Sequence, residues 1–203
     1  MKSHSTHSNQ LQRCPWCGDD PLYVAYHDEV WGIPVFNDSR LFEFLVLETA
    51  QAGLSWITIL RRQEGYRRAF AGFDVQKVAA MTELDQQRLL EDTGIIRNKK
   101  KIAASICNAR KFIEVQNEFG TFSQYCWQFT NGKPIQNRYK EMSEIPPHTS
   151  LSNQISKDMR KRGFQFVGPT VMYAFMQATG MVNDHLISCY RYKEIRRQKN
   201  EVM

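Results

Sequence analysis

Apolar positions along this 203-residue chain recur every three to four residues, the spacing of helices rather than strands. The clearest case runs from Asn98 to Phe119, where Ile102, Ile106, Ala109 and Ile113 share one stripe and Gly120 supplies a stop. Asp38 or Ser39 can open a helix through LFEFLVLETAQA that ends near Gly53, and Ser55 can cap a second through WITILRRQEGYRRAF, ended by Gly72. Asp74 precedes VQKVAA, ELDQQRLLED closes at Gly94, and Phe122 to Phe129 adds another helix. After the polar loop NGKPIQNRYKEMSEIPPHTS, Thr149 or Ser150 opens LSNQISKDMRKR. Gly163 and Gly168 bracket a short turn, and Pro169 begins a helix through TVMYAFMQA that ends at Gly180.

Sustained two-residue alternation is absent, so the pattern predicts an all-α fold of seven to ten helices, in one compact unit over residues 13–190. Residues 1–12 are expected as a disordered tail and 191–203 as a basic C-terminal tail. Residues 13–37, punctuated by Pro15, Gly18, Pro21, Gly32 and Pro34, are expected to be irregular.

Composition narrows the classes of function. No apolar run approaches membrane-spanning length, and the start MKSHSTHSNQLQ lacks the apolar core of an export signal. Five cysteines form no regular disulfide framework, which fits a reduced, cytoplasmic protein. There is no P-loop, and no strand followed by GxGxxG that would support a dinucleotide fold. The net charge of +6 favours polyanions without identifying one. Basic runs at 97–101 (RNKKK), 157–162 (KDMRKR) and 191–199 (RYKEIRRQK) can neutralise phosphates or simply form solvated faces.

The stretch MRKRGFQFVGPTVMYAFMQATG reads as helix, glycine turn, helix, a geometry whose backbone amides can hold a phosphate. Together with AYHDEVWGIP, ETAQAGLSWITIL, TGIIRNKKKI and the continuation MVNDH, it resembles the signature blocks of the DNA-3-methyladenine glycosylase I family, among the helix-hairpin-helix DNA glycosylases. The resemblance runs from about Arg13 to Cys189. It implies a two-lobed helical enzyme of base excision repair that flips 3-methyladenine out of damaged double-stranded DNA and hydrolyses its N-glycosidic bond. By the same resemblance the hairpin, through Gly163, Phe164, Val167, Gly168 and Thr170, would grip the DNA backbone. The wider superfamily commonly carries a catalytic aspartate where this chain has Asn183, and bifunctional relatives carry a hairpin lysine where it has Thr170. Hydrolysis without a Schiff base or strand cleavage is the expectation.

Glu48 shares a helical stripe with Leu41, Leu45 and Ala52, so it is expected to be buried and to need a partner. The residues alone allow an internal arginine or backbone group; the resemblance implies that Glu48 faces the flipped base as the catalytic-site carboxyl. Trp56 lies two helical turns further on, and Tyr23, Tyr26 and Trp31 cluster before the helix. Such aromatics commonly pack cores. By resemblance Tyr26, Trp31, Glu48 and Trp56 match the base pocket, with Trp56 stacking and Tyr23 and Trp16 as further choices.

Cys14 and Cys17, in RCPWCG, lack the surrounding pattern of a thioredoxin-like redox pair. His185 and Cys189 are four apart and can face one metal with Cys14, leaving Cys17 or His27 as the fourth ligand. The resemblance implies Cys14, His27, His185 and Cys189 around one structural zinc; Cys107 and Cys126 are expected, as ordinary free cysteines, to be buried thiols rather than ligands. No obligate protein partner and no membrane are implied. The competing readings are a zinc-stabilised helical DNA binder without activity, a protein-interaction module, and a related glycosylase of altered lesion preference.

Overall fold

A computed structural model describes residues 11–198. The expected disorder of residues 1–12 therefore falls almost wholly outside the described residues, as does the end of the expected C-terminal tail. The described chain runs α1 (Pro21–Glu29), α2 (Asp38–Gln51), α3 (Trp56–Leu60), α4 (Gln63–Ala69), α5 (Val75–Ala79), α6 (Glu83–Glu91), α7 (Lys99–Phe119), α8 (Phe122–Trp127), β1 (Ile135–Gln136), α9 (Ser150–Lys161), α10 (Pro169–Ala178), β2 (Val182–Asn183) and α11 (Tyr190–Gln198). The two strands pair in parallel, Ile135 with Val182 and Gln136 with Asn183. The helical class holds; these four residues are the one departure from it among those described.

Helix α2 is the centre of the core. Every residue from Leu41 to Ala50 is buried, because the helix packs against α7, α8 and α10 and has no solvent face over those turns. Asn37, not Asp38 or Ser39, caps it, accepting from Arg40 N at 3.0 Å. Asp38 is used elsewhere: its carboxylate accepts from the Phe122 and Ser123 amides, each at 2.8 Å, and so caps α8 from across the core. At the other end of α2, the buried Lys101 donates to the carbonyls of Ala50 (2.8 Å) and Ala52 (2.6 Å). That contact fixes the corner from which α3 departs. Asn98 caps α7, and Gly120, at φ +84°, ends it.

Three sequence expectations change. Residues 13–37 are not irregular throughout, since α1 forms within them. Its Asp20 side chain accepts from the Leu22 and Tyr23 amides, and Pro21 supplies the first turn. Aromatic and polar residues lie on several faces of this helix, so no apolar stripe announces it. The helix expected over Trp56–Phe70 breaks at Arg61–Arg62 into α3 and α4 without a glycine or proline; Arg61 there reaches across to Asp20 at 2.7 Å. The expected tail from residue 191 begins inside α11, whose Tyr192 and Ile195 are buried.

The segment after α1 is laced to the end of α10. Gly32 N donates to Gln177 O (3.1 Å) and Val35 N to Thr179 O (3.0 Å). Gly180, at φ +67°, touches this crossing so closely that a Cβ would lie 2.4 Å from the Ile33 carbonyl carbon. Gly180→Ala should therefore destabilise the protein by roughly 3 kcal/mol or more in denaturant unfolding. Gly53→Ala, also at positive φ but with nothing within 4 Å of the new Cβ, should cost about 1 kcal/mol. Equal losses would mean that backbone conformation, not the crossing, sets the requirement.

Candidate active site

A pocket of about 360 Å³ opens between the N-terminal aromatic segment, the end of α2, the start of α3 and one face of α10. Its lining includes Trp16, Tyr23, Tyr26, Trp31, Glu48 and Trp56, so the structure brings together all six residues expected around a base. Trp16 is the hub, with ring centroids 5.1 Å from Tyr23, 5.0 Å from Trp31 and 5.2 Å from His27. Tyr26 lies 5.2 Å from Trp56 at 45°, leaving ring surface turned into the opening. The indole Nε1 atoms of Trp16 and Trp56 are enclosed without a hydrogen-bond partner among the described residues.

Two buried carboxyls on α2 have opposite surroundings. Glu43 is ion-paired with Arg40 and Arg67 and accepts from Gln63 Nε2 at 2.8 Å. Glu48, 3% exposed, forms no ion pair, and burial alone pushes its carboxyl up to about 8. The internal arginine partner that the sequence allowed for Glu48 belongs instead to Glu43. Among the described lining residues Glu48 is the one carboxyl, and none is a lysine. The pocket therefore offers π faces and a protonated acid near neutral pH, with no amine nucleophile. Tyr26 stays a phenol, because burial and the neighbouring Glu48 both raise its pKa.

Behind the pocket, Cys14, His27, His185 and Cys189 are all buried, with ligand atoms within 4.8 Å of one another. Cys14 Sγ is 3.6 Å from His185 Nδ1, and Cys189 Sγ is 3.5 Å from His27 Nε2 and 3.6 Å from His185 Nδ1. Four ligands at ordinary Zn–S and Zn–N lengths stand about 3.6 Å apart in a tetrahedron, so the donor set fits such a cation. The outer ring nitrogens are already occupied: His27 Nδ1 meets Asp28 Oδ1 at 2.7 Å, and His185 Nε2 meets Trp31 O at 3.1 Å. Cys17 lies outside this group and donates instead to Cys14 O at 3.1 Å.

Between α9 and α10 the chain makes a Schellman turn. Phe164 N donates to Met159 O and Gly163 N to Arg160 O, with Gly163 at φ +92°. From α7, Asn108 pins the turn through both amide atoms, to Gln165 O (2.9 Å) and Gln165 N (2.8 Å). Phe164 and Val167 are buried, so only their backbone can face a ligand, and Val167 O already accepts from Ser156 Oγ. The first amides of α10 have no partner within the helix, which makes this end attractive to an anion. Thr170 stands between the two features, on α10 and on the pocket rim.

A model of the methyladenine glycosylase family matches residues 16–192, nearly all of the described chain. The chain belongs to that family. It is 49% identical over 182 residues to DNA-3-methyladenine glycosylase 1 of Escherichia coli K12, covering 90% of this chain and 97% of the relative. A crystal structure of 3-methyladenine DNA glycosylase I superposes with a TM-score of 0.86 at 47% identity, over 88% of this chain and 98% of that one. A substituted 3-methyladenine DNA glycosylase I solved in complex with 3-methyladenine gives a TM-score of 0.85 at 37% identity, over 88% and 96%.

The pocket of this methyladenine glycosylase also contains residues that the sequence reading passed over. Tyr173, Ala174 and Gln177 follow Thr170 at i+3, i+4 and i+7, and that face of α10 lines the cavity; Thr170, expected at the DNA backbone, lies on it as well. Gln51 follows Glu48 by one helical turn. Met142, Ile145, Pro146 and Pro147 close the rim from the loop before α9, and no periodicity signalled them.

The raised pKa of Glu48 makes a signed prediction. Its carboxyl costs nothing below the unfolded value of about 4.5, and the parent loses stability as pH rises from there through about 8. Glu48→Gln should abolish that loss and gain on the parent by a few kcal/mol between pH 5 and pH 9, read by urea unfolding. Parallel pH profiles would show that the carboxyl is hydrated in the folded state.

Proposed function

We propose that the protein is a monofunctional DNA glycosylase that flips 3-methyladenine from alkylated duplex DNA and hydrolyses its N-glycosidic bond, the first step of base excision repair. The observation that carries this reading is the buried Glu48, without an ion pair among the described residues, on the wall of an aromatic pocket of about 360 Å³. Family membership and relatives named for the same activity support it.

The chemistry follows from the lesion. Methylation at N3 leaves the ring cationic, so the C1′–N9 bond breaks with its electron pair going to the base, which departs neutral. Water then adds to the oxocarbenium-like sugar and loses a proton. A leaving group this good needs little acid catalysis; extraction and recognition carry the burden. Trp56 and Tyr26 would hold the cationic ring by stacking and cation–π attraction, worth about 0.5–2 kcal/mol per contact. Glu48, neutral in the empty pocket, would lose its proton as the cation enters and accept a hydrogen bond from the exocyclic amino group. An undamaged adenine brings no charge to pair with that carboxylate. The absence of lysine from the described lining agrees with hydrolysis without a Schiff base.

Backbone amides at Val167, Gly168 and Thr170 would position a phosphate, on a turn that the Gly163 and Phe164 amides shape by their own bonds back to α9, with Arg160 beside Gly168 adding charge. Helices around α7 and around α10, meeting at α2, would be the two lobes of a helix-hairpin-helix fold. One zinc held by Cys14, His27, His185 and Cys189 would be structural, since four protein ligands leave no open position. Its effect on catalysis would pass through Trp31, which packs edge-on against His185 at 4.6 Å. Five free thiols fit a reducing cytoplasm.

Free 3-methyladenine released from alkylated duplex should be abundant with the parent and fall roughly a hundredfold with folded Glu48→Gln. Trp56→Ala should weaken lesion binding more than binding to undamaged duplex. No release by a folded, metal-loaded parent would end the proposal. Elemental analysis should find one zinc per chain, lost in Cys189→Ala and kept in Cys17→Ala.

A further inference from the structure

A second and larger cavity, about 840 Å³, is bounded by Gln136, Arg138, Ile187, Tyr192, Lys193, Arg196 and Arg197. Four of these seven carry positive charge, and none of the four makes an ion pair among the described residues. Lys193, Arg196 and Arg197 stand at i, i+3 and i+4 on α11, a spacing at which like charges oppose the helix unless an anion lies between them.

The wall behind these cations is built rather than loose. Asn183, fully buried on β2, donates to Gln136 Oε1 (2.9 Å) and to Tyr192 O (3.2 Å), tying β1, β2 and α11 together. Gln136 Nε2 is an enclosed donor with no partner among the described residues. The next residue on each strand serves the other cavity: Asn137 donates to Asp184 at 2.6 Å, and Asp184 in turn binds Tyr173 Oη (2.5 Å) and Gln177 Nε2 (2.8 Å) on the pocket wall. One thin partition therefore separates the cationic groove from the base pocket. Lys193, Arg196 and Arg197 also lie past residue 192, where the match to the family model ends.

We propose that this groove is a second phosphate-binding surface, which holds the backbone of duplex DNA beside the base pocket. The proposal rests on the glycosylase reading for its duplex partner. A strand whose lesion is turned into the pocket carries its neighbouring phosphates past the partition, where the groove supplies several cations. The hairpin amides would hold one part of the backbone and the groove another, so that the duplex is fixed on two sides of the extracted nucleotide.

The test is the salt dependence of binding to undamaged duplex, by fluorescence anisotropy. Arg196→Gln/Arg197→Gln is compared with Lys77→Gln/Arg88→Gln, which removes the same charge from exposed positions on α5 and α6. The groove variant should lower the slope of log K against log salt by about two, and Arg138→Gln added to it by about one more. The α5/α6 variant should leave the slope near the parent's. Equal slopes for the two double variants, or no change in either, would overturn the proposal. So would inorganic phosphate protecting the groove at micromolar concentration while the duplex slope stays fixed, since the groove would then be a small-anion site. Release of 3-methyladenine, read in parallel, separates the two claims: a fallen slope without release keeps the groove and removes the enzyme, and release with unchanged slopes does the reverse.

Discussion

Aromatic residues near one end of the chain are held against a helix that comes from the other, and two sets of contacts accomplish it. Backbone bonds lace residues 32–35 to the end of α10, with Gly180 at the crossing. The Cys/His cluster joins residues 14 and 27 to 185 and 189. Between these anchors stand Trp16, Tyr26 and Trp31, which without them would be surface aromatics on a nine-residue helix and its flanks. Helices this short are marginal in water, so tertiary contact has to hold α1 in place.

Burial of charge in α2 divides between support and recognition. Glu43 and Lys101 are both enclosed and both fully engaged, one by two arginines and a glutamine, the other by two carbonyls. They lock the helix at either side of Glu48, which has no such partner. A lone acid in an apolar frame stays protonated near neutral pH, and ionises there only when a cation comes close enough to compensate its charge. The same helix thus carries the rigidity and the unmet demand that rigidity keeps in place.

What the sequence disclosed followed periodicity and capping. Helix α7, the turn after α9 and the start of α10 at Pro169 could be read because stripe, cap and stop agree. Helix α1 could not, since its order comes from Asp20 and from tertiary packing. The break between α3 and α4 falls at Arg61–Arg62, where no glycine, proline or cap signal marks it. Within the site, residue types and family blocks found six members of the pocket. They passed over the α10 face because Tyr173 and Gln177 owe their position to Asp184, a contact created only by the return of β2. They also passed over the α11 groove, where a run read as a solvated tail becomes one wall of a cavity.

The Cys/His cluster also orders events in time. Cys14 and His185 alone stand 171 residues apart, and a ribosome adding about 5–20 residues each second needs roughly 9–34 s to cover that distance. During that interval the aromatic wall exists without the strand, the hairpin helix or the last two members of the cluster that complete it. A nascent chain therefore has no finished cavity in which to act, and a product cut short before Cys189 lacks the closing contact altogether.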